Sequence, residues 1–169
     1  GAIAKSVSLD LNAIPSDAEG GTYSVTISCD DYADIYVAIP VTEEQKAQFP
    51  YYIQCGLSKE DFEFLCRVVS AESSENYDGN VAVSCVIFNR VDNANFPDTV
   101  MEVLTESGQF STVRQGECNT ETTDETRKAV VEAYLNRPLP TNVLYFRADY
   151  YFNWGTPYAK IGGNYFTSI

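Results

Sequence analysis

Two glutamates offer the first chemistry in this sequence. Glu72 follows directly on the apolar positions Phe62, Leu65, Cys66 and Val69, and Glu75 comes one helical turn later. Partial burial beside an apolar run raises a carboxyl pKa and keeps the proton that a general acid needs at neutral pH. A glycosidic oxygen is a poor leaving group until protonated, so one such carboxyl beside an aromatic, amide-lined groove is the minimum apparatus for cutting a sugar chain. If the helix continues, Glu75 shares a face with Glu72, and two close carboxylates push one pKa upward. The ordinary alternative is that each is a solvated charge among 24 acidic residues. The separation of Glu72 from Glu75 or Asp78 would decide the mechanism. Retaining glycosidases hold their carboxyls about 5–5.5 Å apart and inverting ones about 6.5–9.5 Å.

Other segments offer supporting groups. Gly108-Gln109-Phe110-Ser111 supplies an amide and a hydroxyl suited to sugar hydroxyls and acetamido groups, although a plain loop after a helix end explains it as simply. The aromatic residues from Tyr145 to Phe166 suit either ring stacking on a sugar or a strand core. The run Asp30-Asp31-Tyr32-Ala33-Asp34 lacks the spacing and glycine of an EF-hand loop and reads as solvated turn charges.

Composition removes whole classes of function. The 169 residues include no histidine, which excludes Ser-His-Asp and Cys-His catalysis and imidazole zinc sites. With 11 Lys+Arg against 24 Asp+Glu the formal charge is -13, so nucleic acid and anionic membrane surfaces are repelled. Apolar stretches such as Val86-Ile87-Phe88 fall far short of the roughly 18–20 residues of a membrane span. No basic and apolar leader precedes the first strand, and the Gly1-Ala2 start fits a mature form. The five cysteines have no C-x-x-C spacing. One is left over in a monomer, and two bridges among the rest allow five times three, or fifteen, patterns, of which those pairing Cys29 with Cys55 are preferred. Nothing calls for a metal or cofactor.

The elements that would position these groups follow from periodicity. Alternation over 22–29 and 35–41 predicts two strands joined by the polar 30–34 turn, behind a loosely held leader over residues 1–20. A composition shift at 48–52 marks the end of this extension, which is taken as residues 1–55, with a second domain over 56–169. Ser58 with Asp61 opens a helix whose tail is 70–75, and Asn76-Tyr77-Asp78-Gly79 is expected to turn the chain. Val81–Val91 is apolar on every side and is assigned to helix on length. Thr99 with Glu102 caps a short helix closed by Gly108. Thr122 with Glu125 caps another that stops before Pro138, burying Thr126, Ala129, Val130, Ala133 and Tyr134. From Val143 the chain turns strand-like, which makes the class α+β.

Several collinear blocks resemble one family. L-C-R-V-V-S-A-E-S-S-E at 65–75, Y-D-G-N-V-A-V-S-C-V-I-F-N-R-V at 77–91, F-P-D-T-V at 96–100, G-Q-F-S at 108–111, L-Y-F at 144–146 and I-G-G-N-Y-F at 161–166 are similar to the catalytic domain of the SleB-like cell wall hydrolases, the spore cortex-lytic enzymes. The resemblance covers residues 58–167. It implies a lysozyme-like, mainly helical catalytic domain with a small β-portion, to which the N-terminal β-hairpin extension is added. It further implies action on the N-acetylmuramic acid to N-acetylglucosamine bond of a peptidoglycan glycan strand, outside the cell or at the wall. The family's catalytic glutamate carries over to Glu72. Glu75, Asn89, Gln109, Ser111 and Tyr145 fall at positions that bind substrate or support the groove. Asn164 stands where relatives commonly carry a basic or histidine residue. Many relatives are lytic transglycosylases, which need one carboxyl and no metal or cofactor. Two other readings stay open: a catalytically silent glycan-binding module, and an interaction protein built on the N-terminal strands.

Overall fold

The computed structural model describes residues 22–27, 35–40, 49–73 and 76–169. The chain divides between Ser58 and Lys59 into two units. In the first, strands β1 (Thr22–Ile27) and β2 (Ile35–Pro40) pair antiparallel in a register that sets Tyr23 against Ile39, Val25 against Val37 and Ile27 against Ile35. The two alternating patterns are thus matched position for position, as a hairpin requires. A one-turn helix, α1 (Tyr51–Gln54), follows Pro50, and the Gln54 side-chain amide donates to the Phe49 carbonyl oxygen at 2.7 Å. The expected leader over 1–20, the 30–34 turn, and Cys29 with its preferred pairing to Cys55 lie outside the described residues.

The second unit holds helices α2 (Lys59–Ser73), α3 (Tyr77–Val91), α4 (Val100–Thr105) and α5 (Asp124–Asn136). Strands β3 (Val143–Ala148), β4 (Thr156–Ile161) and β5 (Asn164–Ser168) form an antiparallel sheet in the order β3-β5-β4. Every residue of α3 from Gly79 to Arg90 is buried, because α2, α4, α5 and β3 all pack against it. That central position explains an apolar sequence with no polar face. Phe62, Leu65, Cys66 and Val69 of α2 are buried as their spacing predicts, together with Val68. Each fully buried Leu, Ile, Val or Phe contributes about 1.5–3 kcal/mol of hydrophobic stabilisation. Cys85 is a buried thiol whose pKa desolvation pushes up, and with Cys66 it fills the core as a small hydrophobe.

Three boundaries differ from expectation. The Asn76–Gly79 segment is the start of α3, since the Asn76 side chain accepts from the Gly79 N–H at 2.9 Å and so caps the helix. Thr123, not Thr122, caps α5 by accepting from the Thr126 N–H, while the Thr122 hydroxyl is in contact with Ser70 Oγ. In α5, Val131 is buried and Tyr134 only half-buried. Helix α4 ends at Thr105, ahead of Gly108, where φ of +81° then reverses the chain. Its N-cap is as expected, with Thr99 bonded both to the Glu102 N–H and to the Glu102 carboxylate.

Polar contacts lock the helices in register. Ser70 Oγ of α2 and Asn80 Nδ2 of α3 both meet Thr126 Oγ1 of α5, at 3.1 and 3.3 Å, and Ser73 Oγ is hydrogen-bonded with Asn80 Oδ1. Nearer the surface, Arg127 grips the Glu63 carboxylate with two bonds of 2.8 and 2.6 Å, tying α5 to α2. A two-residue turn, Gly162-Gly163, joins β4 to β5 with φ of +55° and +90°, the backbone of a type I′ hairpin.

Candidate active site

Glu72 lies in the last turn of α2, three residues beyond Val69 and seven beyond Leu65, so it continues the side that the helix turns to the core, and it is half-buried. Its Oε1 accepts a hydrogen bond from Thr112 Oγ1 at 2.8 Å, and its backbone carbonyl oxygen accepts one from Asn164 Nδ2 at 2.8 Å. The last carbonyls of a helix have no partner within it, so the asparagine satisfies a group that the helix itself leaves open. A loop and a strand distant in sequence thereby converge on one residue.

The loop owes its shape to Phe110. This ring is buried, 6.3 Å from Phe146 and 5.5 Å from the Arg90 guanidinium carbon, whereas Gln109 and Ser111 on either side are exposed. An aromatic anchor flanked by polar neighbours sets the following residue, Thr112, against Glu72. The chain then reverses at Gln115-Gly116, where φ is +53° and +78°, and Arg114 bridges to Glu117.

Tyr145 belongs to an aromatic cluster. Its ring stands edge-on to Trp154 at 4.9 Å and meets Phe152 at 6.2 Å and Phe96 at 5.9 Å. Arg90, only 3% exposed, lies 5.2–5.5 Å from the centroids of Phe96, Phe110 and Tyr145, and its Nε donates to the Leu144 carbonyl oxygen at 2.8 Å. Burial lowers the guanidinium pKa from a value so high that the charge is retained. Trp154 at 43% exposure and Tyr150 and Tyr158 leave ring surface open to solvent.

Asn89 is placed differently. At 2% exposure it donates to the Pro140 and Val143 carbonyl oxygens at 2.9 and 3.1 Å, so it holds the entry to β3 and presents no amide to solvent. Of the two roles expected for Asn89, groove contact or support, these bonds are those of a support for the backbone. Asp78 is exposed in the first turn of α3. Glu75 lies outside the described residues. Among the described residues no group of three or more acids or thiols comes together as a metal site, and no helix is long and apolar enough to cross a membrane.

Sequence reasoning passed over Thr112, Arg90, Phe96 and Phe110 as functional supports. Arg90 carried a signal, a charge inside an otherwise apolar helix, which implies paired or stacked burial. Thr112 carried none, because its role exists only through a contact 40 residues away in the chain.

A mixed helical domain with a small antiparallel sheet and a carboxylate at one helix end now has a clear kinship. The chain belongs to the cell wall hydrolase family, whose pattern matches residues 74–167. More particularly, it is similar to the spore cortex-lytic enzymes. It is 39% identical over 106 residues to that of Bacillus cereus, covering 62% of this chain and 39% of the relative. With the Oceanobacillus iheyensis enzyme it shares 38% identity over 92 residues, covering 54% of this chain and 33% of the relative. The match thus spans a third to two fifths of the length of these relatives. The crystal structure of the catalytic domain of Bacillus cereus SleB superposes with a TM-score of 0.57 at 31% identity, covering 66% of this chain and 91% of that domain. The catalytic domain of the germination-specific lytic transglycosylase SleB from Bacillus anthracis gives 0.56 at 30% identity, covering 67% and 98%. The fold is that of the SleB catalytic domain, as the collinear motifs imply.

Proposed function

We propose that this protein cleaves the N-acetylmuramic acid to N-acetylglucosamine bond of peptidoglycan as a lytic transglycosylase, with Glu72 as general acid and then general base. The observation that carries the proposal is the Thr112 to Glu72 hydrogen bond, which fixes Oε1 and leaves Oε2 for proton exchange with a bound glycan. Glu72 gives this proton to the glycosidic oxygen as the bond to muramic C1 breaks. The resulting carboxylate faces the developing oxocarbenium charge. The muramic C6 hydroxyl then attacks C1 and its proton passes to Glu72, closing a 1,6-anhydro ring and regenerating the acid. No water is consumed and no second carboxyl takes part.

Gln109 and Ser111, exposed in the loop that carries Thr112, are assigned to sugar hydroxyl and acetamido groups, and Tyr145, clustered with Phe152 and Trp154, to an aromatic wall. Glu75 is assigned a supporting contact to the same substrate. The site of action is the wall or spore cortex outside the cytoplasm, consistent with the cell wall hydrolase match and with two relatives that are spore cortex-lytic enzymes.

Mass spectrometry of soluble products from purified wall and cortex peptidoglycan tests the proposal. Wild type is expected to release fragments lacking the mass of one water at the muramic end, and Glu72→Gln none. Reducing-end products would make the enzyme a hydrolase and direct attention to Glu75 or Asp78. Binding without products would define a glycan-binding module that uses the exposed aromatic rings.

A further inference from the structure

We infer that Asn164 is a positioning residue for the general acid, acting through the backbone of Glu72. The inference rests on the glycosidase reading above and concerns what holds its acid in place. Asn164 opens β5, the central strand of the β3-β5-β4 sheet, and is 6% exposed with its Nδ2 committed to the Glu72 carbonyl oxygen at 2.8 Å. The strand is delivered there by a seat with no slack. A Cβ on Gly162 would lie 2.5 Å from the Gly79 Cα and 3.1 Å from Asn76 Oδ1, and one on Gly79 would lie 3.2 Å from the Gly162 Cα. The hairpin turn therefore docks backbone to backbone on the start of α3, and the first residue after the turn reaches the end of α2. Glu72 is thus fixed twice, at its carboxylate by Thr112 and at its main chain by Asn164.

A hydrogen bond of this kind contributes modestly while it is made and costs more when one partner is removed, because the group left behind must be desolvated without compensation. Since it never meets substrate, its loss acts on the aim of the acid and not on glycan affinity. The expected signature falls on kcat alone.

The experiment measures kcat and KM on peptidoglycan for Asn164→Ala, Asn164→Asp and Asn164→His, with thermal melts and with hydrogen exchange at the Glu72 and Ser73 amides. Asp is nearly isosteric but faces an ionised oxygen toward the Glu72 carbonyl, whereas His restores an N–H donor. Expected are a loss in kcat of about tenfold for Ala, corresponding to a single lost interaction, at least as much for Asp, and recovery of most of it for His. KM should stay within about twofold and the last turn of α2 should exchange faster in Ala and Asp. An Asp variant with wild-type kcat, or a loss carried by KM, overturns the inference. If wild type releases no products, the glycosidase reading fails by itself. The exchange data then decide: unchanged protection at Glu72 and Ser73 overturns the clamp, and faster exchange sustains it.

Discussion

Thr112 Oγ1 donates to Glu72 Oε1 at 2.8 Å and makes one carboxylate oxygen a fixed acceptor. Thr112→Val keeps the shape and removes the donor. It is expected to reduce kcat about tenfold, with a smaller effect on KM, as loss of one interaction that matters most in the transition state. Thr112→Ser should retain most of the activity. Steady-state rates of soluble fragment release with the three proteins check this.

Glu63 and Arg127 give the fold a pH dependence with a defined sign. The paired guanidinium holds the Glu63 carboxyl below its ordinary value of 4.5, against opposing desolvation. A depressed folded pKa contributes stability that is fully present above the ordinary value and is lost as pH falls through the folded one. The pair is partly exposed, so its contribution at neutral pH is about 0.5–1 kcal/mol. Urea unfolding of wild type and Glu63→Gln should differ by that amount at pH 7, and the difference should shrink as pH falls below the ordinary value and vanish below the folded one.

Tyr77 behaves in the opposite sense. Its hydroxyl donates to Glu132 Oε2 at 2.7 Å, and this bond, with burial second, pushes its pKa up from 10.0 to about 12. The stabilisation from this contact is complete below the ordinary value and disappears as pH rises through the folded one. Ultraviolet titration should show one phenol ionising last, absent in Tyr77→Phe and shifted back toward 10.0 in Glu132→Gln.

Arg90 distinguishes stacking from charge. Its guanidinium lies against three aromatic rings and donates to Leu144, with Nη1 buried and without a hydrogen-bond partner. A lysine there buries a strongly hydrated ammonium that cannot stack as a plane, while methionine fills the space without charge. Arg90→Lys is therefore expected to cost about 2–4 kcal/mol and Arg90→Met less. Chemical denaturation of both variants provides the comparison.

Much of the fold was legible because local rules and tertiary demands agree. Thr99 with Glu102 marked α4 by chemistry that acts within one turn, and the stripe of α2 pointed to the face that is buried. The same locality explains the errors. Asn76 reads as a turn residue because asparagine serves turns and N-caps alike, and Thr122 and Thr123 are indistinguishable until a third residue, Ser70, engages one of them. Glu72 was accessible to reasoning through its position on a helix and through its family motif. Its two partners were not, since the contacts close over 40 and 92 residues and no periodicity reports them. Asn89 shows the converse: a motif position was identified, but whether it faced a groove or the core depended on the course of the chain before β3.

The contact between Gly79 and Gly162 has a consequence for how this family varies. Most packed pairs can drift together, one residue growing as the other shrinks, and the paired changes leave a statistical trace in related sequences. Here both partners already lack a side chain, so an enlargement at either cannot be offset at the other. This junction should therefore be silent in covariation, recorded only as two glycines that do not change.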